Sequence, residues 1–321
     1  MLKTIFLNSL KLLVAGGLIY WLVSSGKLDF KLLAQLQHYP GSVLIAVMLT
    51  IANFCLVSFR WRKILNARAE TELPMLGMIQ VTWIGQFFSS VLPGSVSGDL
   101  VKILYVQKLN TGFSKRFIFA SILIDRLMGL SGLILLVGIS SLLFSSHILK
   151  NAPDMQPLLT MNYALAIMVV ITLGLFFFCH DLIRKVLQKL ESLFLRKVWE
   201  KVIVLWDDLT AIKGKMMKAV GISLIVQFIA VLTFWSIIHP FVKGTMDFIE
   251  ALAFIPIGLM TLALPVAPSG LGVGHAIFQK LFQFSGINNG ASLFNLFFFV
   301  TLSVNLLGAI PYLLNKKNPA N

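Results

Sequence analysis

Charge is what this sequence has least of. Only 12% of its 321 residues are charged and just 13 are acidic, against 57% hydrophobic; soluble chains carry about twice that charged share. So few carboxylates cannot solvate a surface of this size. A soluble enzyme, a nucleic-acid binder and a disordered chain are thereby excluded as readings of the whole, and an integral membrane protein remains. Cysteine is nearly absent. Cys55 and Cys179 stand in apolar runs with neither metal-ligand spacing nor a disulfide framework, and no metal or cofactor is expected. The Gly-rich loop ending in Lys-Ser/Thr that cradles nucleotide phosphates is missing as well. No small-residue cleavage site follows the first apolar run, which therefore reads as a retained helix rather than a secretory signal.

Long apolar runs are abundant. Six are of spanning length, at residues 5–23, 40–59, 117–144, 158–179, 219–238 and 292–314. Two more, 73–109 and 248–286, are broken by Gly and Pro. Of the 27 basic residues, 21 fall in the clusters at 60–68, 102–116, 180–218 and 316–317 or at Lys3 and Lys11. Lys27, Lys31, Lys150, Lys243 and Lys280 fall on the opposite side. The positive-inside rule then predicts a multi-pass protein of the cytoplasmic (inner) cell membrane with both termini in the cytoplasm.

That orientation requires each broken segment to return to the side it entered from. The fold expected is all-α and polytopic: a single transmembrane domain over 1–321, with six full spans and two facing re-entrant hairpins (73–109 and 248–286); eight plain spans is the competing count. Backbone at membrane depth needs cover from protein or from a water-filled cavity. Both hairpins carry Leu-Pro followed by small residues and Ser-Gly, at Leu92-Pro93 and Leu264-Pro265, the mark of an inverted repeat. Residues 180–218 hold nine Lys/Arg and five Asp/Glu, with apolar positions from Leu182 to Phe194 at helical spacing. They read either as an amphipathic helix in the cytoplasmic interface or as a solvated basic connector.

In the first hairpin, Pro93, Gly94, Ser95, Ser97 and Gly98 are expected to break the helix, with a new helix starting near Asp99. Its free N–H groups, with the Ser95 and Ser97 hydroxyls, suit an anion such as a lipid phosphate. Asp99 either caps that helix or meets a cation or a proton. Ser269, Gly270 and Gly272 do the same in the second hairpin, followed by His275, either a relay or head-group donor or a packing histidine. Asp125 and Arg126 fall near the midplane of their span, where charge marks a substrate or ion path. Adjacent on a helix, they do not face one another; Asp99 and a phosphate are the natural partners for Arg126. Arg60, Arg62, Lys63 and Trp61 read as an interface anchor.

Leu92-Pro-Gly-Ser-Val-Ser-Gly-Asp-Leu-Val-Lys102, Asp125-Arg-Leu-Met-Gly-Leu130 and Pro268-Ser-Gly-Leu-Gly-Val-Gly-His275, in that order, resemble the transmembrane family of lysylphosphatidylglycerol synthase/flippases. The resemblance covers about residues 5–315. It implies a polytopic fold with re-entrant hairpins that moves aminoacylated or related lipids between leaflets. The family often has Arg-Glu where this sequence has Gly274-His275. The soluble aminoacyl-transferase domain of fused members has no counterpart in these residues, so lipid synthesis is not expected of them. A lipid translocase, not an enzyme, is the leading expectation. Its partners would be membrane lipids with anionic or polyprenyl head groups, a separate lipid-modifying enzyme and further copies of itself, without nucleic acid. The alternatives are a polyprenyl-pyrophosphate phosphatase and a non-catalytic scaffold for envelope-lipid synthesis. The phosphatase would need glutamates near a hairpin tip, and Glu250 lies only at a segment end.

Overall fold

The computed structural model describes residues 30–92, 97–109, 112–151, 153–189, 203, 206, 210, 213–263 and 273–317. All regular structure among them is helical. In chain order the helices are α1 (Phe30–Gln35), α2 (Pro40–Leu65), α3 (Met75–Val91), α4 (Ser97–Gln107), α5 (Lys115–Asn151), α6 (Gln156–Phe178), α7 (His180–Lys189), α8 (Lys213–Val242), α9 (Phe248–Ala263), α10 (Val273–Gln283), α11 (Gly290–Leu306) and α12 (Ala309–Lys317). Five stretches are long and apolar enough to cross a membrane, at Pro40–Leu65, Lys115–Lys150, Pro153–Phe178, Met216–Val242 and Gly290–Leu314. They coincide with five of the expected spans; residues 5–23 lie outside the described residues. Of the basic segment 180–218, α7 is described as an amphipathic helix and most of 190–212 is not.

The bundle is built with lipid as its solvent. On α2, Ala46, Thr50, Phe54, Ser58, Trp61 and Leu65 recur at helical spacing and are buried, while Leu44, Ile45, Met48 and Ile51 face outward. The exposed face is the more apolar one, the reverse of a soluble helix. Without a hydrophobic drive between helices, small residues and interhelical hydrogen bonds hold them together. A Cβ on Gly132 would lie 2.5 Å from that of Ser223, and one on Gly138 2.4 Å from that of Ala166. Asn162 donates to Ser141 Oγ across α5 and α6 at 3.3 Å. Packing is most extensive between α2 and α8, and α5 is the common neighbour of α6, α8 and α9.

The two Gly/Pro-broken segments each form a helical hairpin with antiparallel limbs. The first pairs α3 with α4, of 17 and 11 residues, and the second α9 with α10, of 16 and 11. Their glycines fall at matching positions. Gly85 and Gly258 are each the eleventh residue of a first limb, and Gly98 and Gly274 the second residue of a second limb. A Cβ on Gly85 would strike the stem of Lys102 at 2.6 Å, and one on Gly258 the ring of Phe278 at 2.3 Å. Lys102 and Phe278 are both sixth in their limbs. The hairpins are thus copies of one packing unit.

The second hairpin closes on Gly286. With φ at +75° it allows a reversal in which Ile287 N–H donates to Phe282 C=O at 3.0 Å and Gly286 N–H to Gln283 C=O at 2.9 Å, a Schellman end sealed by the buried Phe282 and Ile287 side chains.

Candidate functional site

Helix α5 runs further than its apolar stretch, from Lys115 to Asn151, so its centre falls at Leu133. Asp125 is eight residues away, about 12 Å at 1.5 Å per residue. Asp125 and Arg126 lie in the third of the helix that begins with Lys115 and Arg116.

Around them the described residues gather three cations and two carboxylates from three helices, with a hydroxyl from a fourth. Asp99 on α4 is buried and takes Arg126 Nη2 at 2.6 Å and Lys102 Nζ at 3.2 Å. Asp125 is clasped by Arg60, at 2.7 Å from Nε and 3.0 Å from Nη2, and Arg60 Nη1 donates to Ser223 Oγ at 2.8 Å. The two-point clasp on a buried carboxylate is the strong form of a charged hydrogen bond. The two groups meet at adjacent residues of α5 whose side chains diverge, as the helix requires.

The five side chains differ in access. Arg60 is 5% exposed and Asp125 12%, Asp99 8% and Lys102 14%, but Arg126 is 43% exposed. Arg60–Asp125 is an interior clasp joining α2, α5 and α8. Arg126 is a cation paired with a buried carboxylate, and its side chain is the most exposed of the five. With three positive and two negative groups, the cluster carries an excess of one positive charge.

Arg126 thus meets Asp99, one of the two partners its sequence position suggested. Other expectations are corrected. Helix α4 starts at Ser97, so Asp99 is the third residue of the helix and an ion-pair partner rather than its cap. Gly98 lies inside the helix, where a Cβ would come within 2.1 Å of Gly85 O and Ser89 Oγ; its missing side chain allows the limbs to touch. Ser97 Oγ donates to Phe88 C=O at 3.4 Å. Arg60 and Trp61 are no interface anchor: both are buried, and Trp61 donates to Ser121 Oγ at 3.0 Å. Arg62 and Lys63 remain at the periphery, Arg62 paired with Glu72 at 2.7 Å.

His275 does not join this cluster. It is buried on α10, where Nε2 donates to Asn295 Oδ1 on α11 at 2.5 Å and the ring stands edge-on to Phe294. Gly94, Ser95, Ser269, Gly270 and Gly272 lie outside the described residues. Sequence reasoning missed Arg60, Lys102 and Ser223. Lys102 was signalled by its spacing of three from Asp99, and Arg60 by sharing a helix face with Asn53, two turns away.

Glu250 is otherwise engaged. Its Oε2 accepts from Asp247 N–H at 3.2 Å, and Asp247 Oδ1 accepts from Glu250 N–H at 2.8 Å, a reciprocal capping box at the start of α9.

Among curated proteins the chain is similar to the UPF0104 membrane protein PH1989 of Pyrococcus horikoshii, with 19% identity over 263 residues, 76% of this chain and 77% of that protein. No solved structure is a significant match. Residues 8–308 match the family described as the lysylphosphatidylglycerol synthase TM region, and the chain belongs to that family.

Proposed function

We propose that the protein is a lipid translocase that carries a phosphate-bearing lipid head group between leaflets without hydrolysing nucleotide. The observation that carries this reading is Arg126: an arginine within an apolar bundle, paired with buried Asp99 while its side chain remains 43% exposed. A lipid phosphate reaching Arg126 would compete with Asp99 for the guanidinium, and Lys102 would hold the displaced carboxylate. The clasp of Arg60 on Asp125 would keep α2, α5 and α8 in place during the exchange. The net positive charge of the cluster favours an anionic head group over a cationic one.

In this reading the charge-rich ends of the helices and both termini are cytoplasmic, in the cell membrane, and the hairpins re-enter from opposite faces. Their limbs suit this role. At 1.5 Å per residue, 11 residues reach about 16 Å, too short for a ~30 Å hydrocarbon core. The acyl chains would remain in the bilayer while the head group moves, and an ion gradient or the lipid gradient would supply the driving force. The phosphatase alternative is disfavoured by Glu250, whose carboxylate caps α9.

The test is reconstitution into liposomes with leaflet-labelled phospholipids, comparing wild type with Arg126→Ala and Asp99→Asn. Movement in the wild type that is lost in Arg126→Ala supports the reading. Phosphate release from a polyprenyl pyrophosphate, without lipid movement, would sink it.

A further inference from the structure

A second polar feature lies deeper than the charge cluster and carries no formal charge. Between α2, α3, α8 and α11 is a cavity of about 200 Å³ whose polar lining is Thr50, Asn53, Gln86, Thr233, Thr301 and Asn305. It sits at the middle of the bundle: Asn53 is near the centre of α2 and Ala230, on its wall, near the centre of α8. Asn53 and Arg60 are seven residues apart on α2, and Ala230 and Ser223 seven apart on α8. On both helices the cavity is thus displaced from the cluster by two turns, about 10 Å. Helix α3 joins the two places, since Gly85 packs on Lys102 and Gln86 lines the cavity.

The hydrogen bonds already made determine what this lining can still bind. Thr50 Oγ1 donates to Ala46 C=O at 2.8 Å, Thr233 Oγ1 to Ile229 C=O at 2.8 Å, and Thr301 Oγ1 to Phe297 C=O at 2.8 Å. Each hydroxyl has directed its one proton into its own helix, which leaves oxygen lone pairs as acceptors. Asn53 Nδ2 donates to Val226 C=O at 2.8 Å, which fixes the amide with Oδ1 as its acceptor, and Asn305 Nδ2 bonds Ser90 Oγ at 2.9 Å. Gln86 makes no hydrogen bond among the described residues. Among the described residues the lining therefore offers six side-chain oxygens as acceptors, and its remaining donors are amide N–H groups of Asn53, Gln86 and Asn305.

A ligand that satisfies the three threonine oxygens must bring donors. An ammonium would do so, but among the described residues no carboxylate lines the cavity, and an uncompensated charge at membrane depth costs several kcal/mol. Neutral hydroxyls bring donors without that penalty. The volume equals about six waters at ~30 Å³ each, enough for a glycerol or one sugar ring.

From this arrangement we infer that the cavity binds the uncharged, hydroxyl-bearing part of a head group, a polyol or sugar. This assignment deepens the translocase reading and rests on it for the statement that the polyol belongs to a lipid. The phosphate meets Arg126 at one stage of the passage, and at another, two turns deeper, the hydroxyls are taken up by Thr50, Thr233, Thr301 and the three amides. Lipids whose head group ends in an ammonium lack this second site.

The test uses the full chain and two acyl-labelled probes, phosphatidylglycerol and phosphatidylethanolamine. Binding is read by native mass spectrometry in detergent and movement by dye quenching in liposomes. The double variant Thr233→Val/Thr301→Val keeps the shape of the wall and removes two acceptors. It is expected to weaken phosphatidylglycerol binding about tenfold, the worth of one to two hydrogen bonds, and to leave phosphatidylethanolamine unchanged. Equal binding of the two lipids by wild type, or an unchanged double variant, overturns the assignment even if both lipids move. Hydroxyl-dependent binding without movement keeps the cavity and removes the translocase. Competition by free glycerol 3-phosphate as effective as that of the lipid would make the polyol a soluble ligand; its failure to compete makes it a lipid head group.

Discussion

Asp99 and His275 are equivalent residues: each is the third residue of an 11-residue second limb, follows a glycine that packs against the first limb, and has its side chain buried. Their chemistry has parted. Asp99 binds two cations on α4 and α5, and His275 donates to an amide on α11. Three residues on, Lys102 and Phe278 repeat the contrast, one ionic and one aromatic against the same glycine position. One hairpin has become the charged half of the structure, and the other joins the aromatic core in which Phe234, Phe278 and Phe294 stack. Exchanging the two residues is thus predicted to fail on both sides. Asp99→His leaves two cations without their carboxylate, and His275→Asp sets a carboxylate against Asn295 Oδ1. Each substitution is expected to lower the unfolding midpoint in detergent, with a loss of about 3–5 kcal/mol for Asp99→His.

Arg60→Met strips a buried carboxylate of its clasp, and a loss of about 3–5 kcal/mol is expected. Adding Asp125→Leu removes the stranded charge and should recover most of it. Thermal unfolding of the two single variants and the double variant gives the coupling directly. Additive losses would mean that the clasp contributes nothing to folding.

Arg126→Ala tests a different property. Because its side chain is 43% exposed, its pairing with Asp99 is partly screened, and Lys102 still partners the carboxylate. The expected change in stability is about 1 kcal/mol, alongside a large loss of lipid movement in liposomes. A variant that unfolds as readily as Arg60→Met would make Arg126 a structural residue.

Gly98→Ala sets a methyl group within 2.1 Å of Gly85 O and Ser89 Oγ, so the limbs of the first hairpin must part. Overpacking of this kind costs about 1–3 kcal/mol, readable as a lower unfolding midpoint. Gly41→Ala, with nothing within 4 Å of the new carbon, serves as the matched control and should not destabilise the protein.

Asp247→Ala removes one half of the capping box on α9 and the partner of His147. A loss of about 1–2 kcal/mol is expected, with faster amide exchange in the first turn of α9 and around His147 and no change around Arg126. Exchange mass spectrometry with local resolution distinguishes this from global loosening.

Much of the architecture was legible because membrane burial is written in composition. Runs such as that of α6 announce themselves by length alone, and the Gly/Pro interruptions located both hairpins. Asp125 and Arg126 stood out because charge is scarce. Arg60 did not, since it lies in Arg60-Trp-Arg-Lys63, where a basic cluster at a span end satisfies the positive-inside rule without further explanation. Only the helical phase separates it from Arg62: Arg60 and Trp61 turn toward α5 and α8, Arg62 away. The full length of α5 was not legible for a related reason: hydropathy marks where apolar residues stop, and α5 continues through Ser145, Ser146 and His147 as helix. The cavity left no sequence signal, because threonines and amides scattered over four helices converge only once those helices pack.

The length of α5 has a mechanical consequence. Its 37 residues make a rod of about 55 Å, and even at the steep end of the usual tilt range, about 40°, it would span some 42 Å against a hydrocarbon layer of ~30 Å. Bilayer thickness therefore cannot set its height; the rod overhangs whatever membrane it occupies. Its position along the normal is set by its neighbours: the Arg60 clasp on Asp125 near one end, and the pairing of His147 with Asp247 at 2.7 Å near the other. A thinner or thicker membrane would slide past this strut, while the outer helix α6, largely exposed to lipid and gripped at few points, would register the change.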